Sequence, residues 1–160
     1  MTKPADIGVQ LFTISDTRKP ENDRSGELMA WKIEASPFEL IGQQIVRENQ
    51  GEIEEKIKQA VDNPQVRAVI TSGGTGLSDR DRTIEEIVPL FERKLEGFGE
   101  LFRQLSYDQV GARCLLSRAT AGRAKKTLIF ILPGSPKAVE LGLDELILPV
   151  LHHAIEVIDQ

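Results

Sequence analysis

The chain places three glycines within four positions, Gly73, Gly74 and Gly76, and follows them with alternating charge at Asp79, Arg80, Asp81 and Arg82. Glycine lets main-chain N–H groups approach a ligand closely, and the start of a following helix adds positive character, so this segment can cradle a phosphate. Neither common phosphate motif is met. No lysine follows the glycines as in a P-loop, and Asp79 stands where a dinucleotide fingerprint has its third glycine. A tight turn with glycines at positive φ accounts for the same residues. Asp79 and Asp81 would repel a phosphate unless a cation such as Mg²⁺ lay between, with Arg80 and Arg82 taking remaining charge. A solvated charged turn is the alternative.

Other candidates occupy comparable positions. Glu48 ends an apolar run and aims a further acid at the same place, or else serves the dipole of the next helix. Pro133, Gly134 and Ser135 offer free amides where another apolar run meets a helix, a second anion niche or simple turn chemistry. The stretch "GARCLLSRATAGRAKK" carries Arg113, Arg118, Arg123, Lys125 and Lys126 without an acid, plus hydroxyls at Ser117 and Thr120. It reads as an anion subsite or an exposed basic loop. His152 and His153 are adjacent and make a poor metal pair on a helix. There is no Ser-His-Asp order and no zinc spacing.

Strands and helices must bring these residues together. Apolar, β-branched runs predict strands at 7–15, 38–46, 66–71 and 127–132. Helices are predicted near 28–35, after Asn49 with Glu52 as a box-like start, after Thr83 with Glu86 as a capping box, over "FGELFRQLS", and from Pro136 onward. Pro89 and Pro149 predict a stop or kink. Val139, Leu143, Ile147 and Val150 are expected to face inward, and Trp31 and Cys114 to lie in the core. The segment 107–126 has no clear assignment. Alternating strands and helices predict an α/β fold of three layers with a mostly parallel sheet, 1–160 forming one domain. Ligands then bind beyond the carboxyl ends of the strands, where the loops at Ser15–Asp16, Glu48–Asn49, Gly73–Asp81 and Pro133–Ser135 converge.

Composition bounds the partners. A net charge of −5 argues against nucleic acid and anionic membranes, which need basic surfaces. The lone cysteine, Cys114, excludes an internal disulfide and suits a reducing cytoplasm. "MTKPADIGVQ" has neither a signal-peptide pattern nor an apolar anchor.

Taken in order, "DRSG" (Asp23–Gly26), "SGGTGLSDRDRT" (Ser72–Thr83), "GFGELFRQLS" (Gly97–Ser106), "LSRATAG" (Leu116–Gly122) and "LPGSPKAV" (Leu132–Val139) resemble the MoaB/MogA family of molybdenum cofactor biosynthesis, over nearly the whole chain. The likeness is to the MoaB branch. It implies a compact α/β fold, assembly as homotrimers or homohexamers, and adenylylation of molybdopterin by Mg²⁺-ATP with release of pyrophosphate. The family's essential aspartate falls on Asp81; its second aspartate falls on Glu48, a departure that keeps the charge on a longer arm. These two are the implied Mg²⁺ ligands and catalytic acids. Gly73, Gly74, Thr75, Gly76, Pro133, Gly134 and Ser135 are the implied nucleotide side, and Ser117, Arg118 and Ser25 the pterin side. A non-catalytic molybdopterin carrier is the second reading.

Overall fold

A computed structural model describes all residues, Met1–Gln160. Strands β1 (Gly8–Ile14), β2 (Glu39–Val46), β3 (Val66–Ser72), β4 (Arg93–Lys94), β5 (Thr120–Ala124) and β6 (Thr127–Leu132) form one sheet in the order β2-β1-β3-β6-β5-β4. The β2-β1-β3-β6 part is parallel, whereas β5 and β4 join antiparallel at the edge. The mostly parallel sheet is as expected. The antiparallel edge comes from the unassigned segment and from a two-residue strand too short to carry a period.

Helices cover both faces. α1 (Arg24–Glu34), α4 (Glu96–Val110), α5 (Pro136–Leu141) and α6 (Leu148–Ile158) pack one face around Leu11, Met29, Phe102, Phe130 and Leu151. α2 (Glu52–Asp62) and α3 (Thr83–Ile87) pack the other around Phe12, Ile53, Ile57, Val69 and Ile129. The central strands β1, β3 and β6 bury almost every side chain, as the unbroken apolar runs require.

Several local expectations change. α1 begins earlier than its apolar period suggests because the Asp23 carboxylate accepts from the Gly26 amide at 3.0 Å and caps it. The Thr83–Glu86 box does not form: Thr83 lies inside α3, and its hydroxyl donates to the Gly73 carbonyl. Nor is Asn49 the cap of α2; Gly51 is, at φ 82°, while Asn49 donates to the Glu52 carboxylate. Pro89 ends α3 in a 3₁₀ turn, Val88–Leu90. Before Pro149 the backbone widens into a π segment, Gly142–Ile147, which absorbs the missing N–H without breaking the rod.

Trp31 is 64% exposed rather than buried, and Val150 also faces outward, because each falls beside its helix's apolar stripe. Cys114 is half-buried on a 3₁₀ turn outside the core. No helix is long and apolar enough to cross a membrane.

Candidate functional site

The four parallel strands share a direction, so their carboxyl ends meet at one edge. A cleft of about 340 Å³ opens there, lined by Ser15, Thr17, Arg18, Gly73, Gly74, Thr75, Gly76, Asp81 and Gly134 among others. The glycine loop is pinned at its base. Gly73 donates to the Leu132 carbonyl at 3.0 Å, and Thr83 donates its amide to Gly74 at 3.1 Å. Gly73 and Gly74 take φ of 98° and 69°, the left-handed region that other residues avoid. The next amides, of Gly74, Thr75 and Gly76, have no hydrogen-bond partner within the chain. Free donors on a bare backbone are what an anion niche requires.

Acids flank that loop. The Asp81 carboxylate accepts from the Ser78 amide at 3.1 Å and lies 2.7 Å from where a Cβ on Gly76 would stand. The Glu48 carboxylate accepts from the Arg82 amide at 3.2 Å and lies 2.6 Å from where a Cβ on Gly74 would stand. Asp16 joins them by accepting from the Glu48 amide at 2.9 Å. Asp79 stays exposed in the turn.

Burial raises the Glu48 pKa above its ordinary 4.5; the Arg82 amide opposes this, and the charges of Asp81 and Asp16 add to it. An acid whose folded pKa is raised works against folding above that pKa, and the penalty fades as pH falls through it. Glu48→Gln keeps an acceptor for the Arg82 amide. It should raise the melting temperature at pH 7 by about 1–2 °C. The gain should vanish below pH 4.5, the ordinary glutamate value, in calorimetry across pH.

The donor chemistry suits a hard divalent cation. Asp81 offers oxygen beside Gly76, and Glu48 offers oxygen beside Gly74. No group of three or more His, Cys, Asp or Glu residues is arranged to hold a metal. A Mg²⁺ there would be held by these two carboxylates and would offset nearby negative charge.

The remaining predicted residues are placed as follows. Gly134 faces the cleft; its carbonyl accepts from the Ser25 hydroxyl at 2.6 Å, so Ser25 is buried and fixes this loop. Ser135 caps α5 through the Ala138 amide, and Pro133 is half-buried and outside the cleft lining. Arg118 reaches the loop from outside: it donates to the carbonyls of Thr75 and Gly76 and pairs with Glu85. That contact holds the Glu85 carboxyl below its ordinary range. Ser117, half-buried, lies just before it, and its carbonyl accepts from Arg103.

The basic segment does not form one patch. β5 runs antiparallel to β6, which carries Lys125 and Lys126 to the opposite end of the sheet. There Lys125 pairs with Asp62 and Lys126 reaches the Ile158 carbonyl. Arg18, a cleft residue, was not predicted from sequence. It sits in a loop that reads only as charged and turn-rich, and nothing local marks it out.

The fold and its cleft define a molybdopterin-binding domain: the sequence model of that family, described as "Probable molybdopterin binding domain", matches residues 10–153. The chain belongs to the MoaB/MogA family of molybdenum cofactor biosynthesis proteins. It is 40% identical over 153 residues to Molybdenum cofactor biosynthesis protein B of Bacillus subtilis (strain 168), covering 95% of this chain and 90% of that protein. A crystal structure of Molybdenum cofactor biosynthesis protein B superposes with a TM-score of 0.94 at 35% identity, over 99% of both chains. The tungsten cofactor synthesizing protein MoaB from Pyrococcus furiosus matches with a TM-score of 0.87 at 34% identity, over 99% of this chain and 100% of that one.

Proposed function

We propose that the chain adenylylates molybdopterin with Mg²⁺-ATP. A terminal phosphate oxygen of molybdopterin bonds to the α-phosphorus of ATP, the bond from that phosphorus to the β-phosphate bridging oxygen breaks, and pyrophosphate leaves. The unpartnered amides of Gly74, Thr75 and Gly76 beside the Asp81 carboxylate carry this reading. They hold the nucleotide's phosphates, with Gly134 closing the far wall. Asp81 and Glu48 would hold Mg²⁺, which neutralises charge on the phosphates during transfer. Gly73 anchors the loop to β6, Ser25 and Ser135 fix the 133–135 turn, and Arg118 shapes the loop from outside. No covalent nucleophile is required, since phosphoryl transfer depends on positioning and charge neutralisation. Association as a homotrimer or homohexamer is part of the same proposal.

A second reading, a non-catalytic molybdopterin binder, draws on Glu48. Its carboxylate is engaged by the Arg82 amide and destabilised by burial, an awkward state for a metal ligand. The two readings separate in one assay. Purified chain is incubated with molybdopterin and Mg²⁺-ATP, and adenylylated product and pyrophosphate are measured. The transferase reading expects both, abolished by a chelator and restored by added Mg²⁺. Molybdopterin binding without either product would leave only the binder.

A further inference from the structure

Among the arginines that close on the cleft edge, Arg47, Arg82 and Arg118 have their guanidinium groups committed to the protein. Arg47 donates to the carbonyls of Ser15 and Arg18, Arg82 pairs with Glu86, and Arg118 holds Glu85 and the glycine-loop carbonyls. Arg80 is exposed and does not line the cleft. Arg18 does line it, and its guanidinium makes no hydrogen bond. Its ionic neighbour is Asp23, at 3.6 Å, outside hydrogen-bond range. Nη2 of Arg18 lies 3.9 Å from where a Cβ on Gly134 would stand.

Asp23 is ion-paired with this cation but does not accept a hydrogen bond from it. Its side chain is 6% exposed, and it is tied to the Gly26 amide as the cap of α1. It therefore holds a guanidinium with uncommitted donors over the Gly134 end of the cleft. The cleft thus has two electrostatic ends. Asp81, beside Gly76, makes one end acidic, suited to a phosphate that brings a metal ion, and Glu48 and Asp16 adjoin it outside the cleft lining. Arg18 makes the other end basic, suited to a phosphate that brings none. A planar guanidinium matches phosphate oxygens two at a time, which fixes orientation as well as charge.

We propose that Arg18 binds the phosphate monoester of the attacking pterin and aligns its oxygen with the nucleotide held at the acidic end. The assignment rests on the function proposed above. It places at Arg18 an anion subsite of the kind that the basic segment Arg113–Lys126 offers in the sequence.

The test compares the full chain with Arg18→Ala and Arg18→Lys. Equilibrium binding of molybdopterin is followed by pterin fluorescence, and adenylyl transfer gives a KM for each substrate. In Arg18→Ala, the Kd and KM for molybdopterin should rise about 10- to 100-fold, with the KM for Mg²⁺-ATP within about twofold of wild type. Arg18→Lys should recover part of the loss, because it keeps the charge without the fork. An unchanged molybdopterin Kd in Arg18→Ala overturns the assignment, and so does a rise confined to the KM for ATP. If the wild-type chain binds molybdopterin but releases no pyrophosphate, the transferase reading fails while the Kd comparison still decides Arg18. Absence of wild-type binding sinks both.

Discussion

Asp81→Asn is expected to reduce Mg²⁺-dependent pyrophosphate release by about 1000-fold or more, or ~4 kcal/mol in the barrier. The substitution is nearly isosteric, and the asparagine oxygen can still accept from the Ser78 amide that now binds the carboxylate. What is lost is a negative charge lining the cleft beside free amides. In the proposed reaction a divalent ion would then keep only Glu48 as an acidic protein ligand, and the triphosphate would lose its anchor. The fold should survive, with the melting temperature within about 2 °C of wild type. A second readout is independent of turnover. The Asp81 charge helps raise the Glu48 pKa, so that pKa should fall in the variant, as followed by carboxylate NMR. Wild-type turnover in Asp81→Asn would refute the role.

The second large effect is on stability. Gly73 has φ 98°, and a Cβ added there would lie 2.3 Å from the main-chain carbonyl oxygen of Ile14. Neither problem can be relieved by a side-chain rotation, because both obstacles are backbone at the ends of β1 and β3. Gly73→Ala should cost about 3 kcal/mol, lowering the melting temperature by roughly 6–12 °C. The same shift would pull on the Gly73–Leu132 hydrogen bond and spread the cleft, so nucleotide binding should weaken in the surviving folded fraction. Gly97→Ala is the control: a Cβ there meets nothing within 4 Å and its φ is ordinary, so thermal denaturation should show no loss. Equal melting temperatures for Gly73→Ala and wild type would contradict the strained-loop account.

Much of this was legible in the chain before any coordinates. β6 matches its apolar run residue for residue, since a run of six with β-branched and aromatic residues, closed by Pro133, is too short for a helix. β1, β2 and β3 fall within one residue of expectation at each end. Other elements were not legible, for identifiable reasons. β4 is two exposed residues that pair with β5, so only the neighbouring strand makes them a strand. Thr83 has the spacing of a helix cap, yet a long-range partner, the Gly73 carbonyl, takes its hydroxyl. Local motifs yield wherever a distant group offers the better hydrogen bond.

Residue type and order alone determined the parallel α/β class, the glycine loop, and the acids at strand ends, because periodicity, positive-φ glycine and charge are properties of short stretches. Only the tertiary structure decided how the charged side chains divide their work. It sent Lys125 and Lys126 to the far end of the sheet, bound Arg118 to Glu85, and left Arg18 over the cleft, paired with Asp23 by charge but with its hydrogen-bond donors unused. An arginine's role depends on which carbonyls and carboxylates lie within a few ångströms, and those partners come from remote parts of the chain.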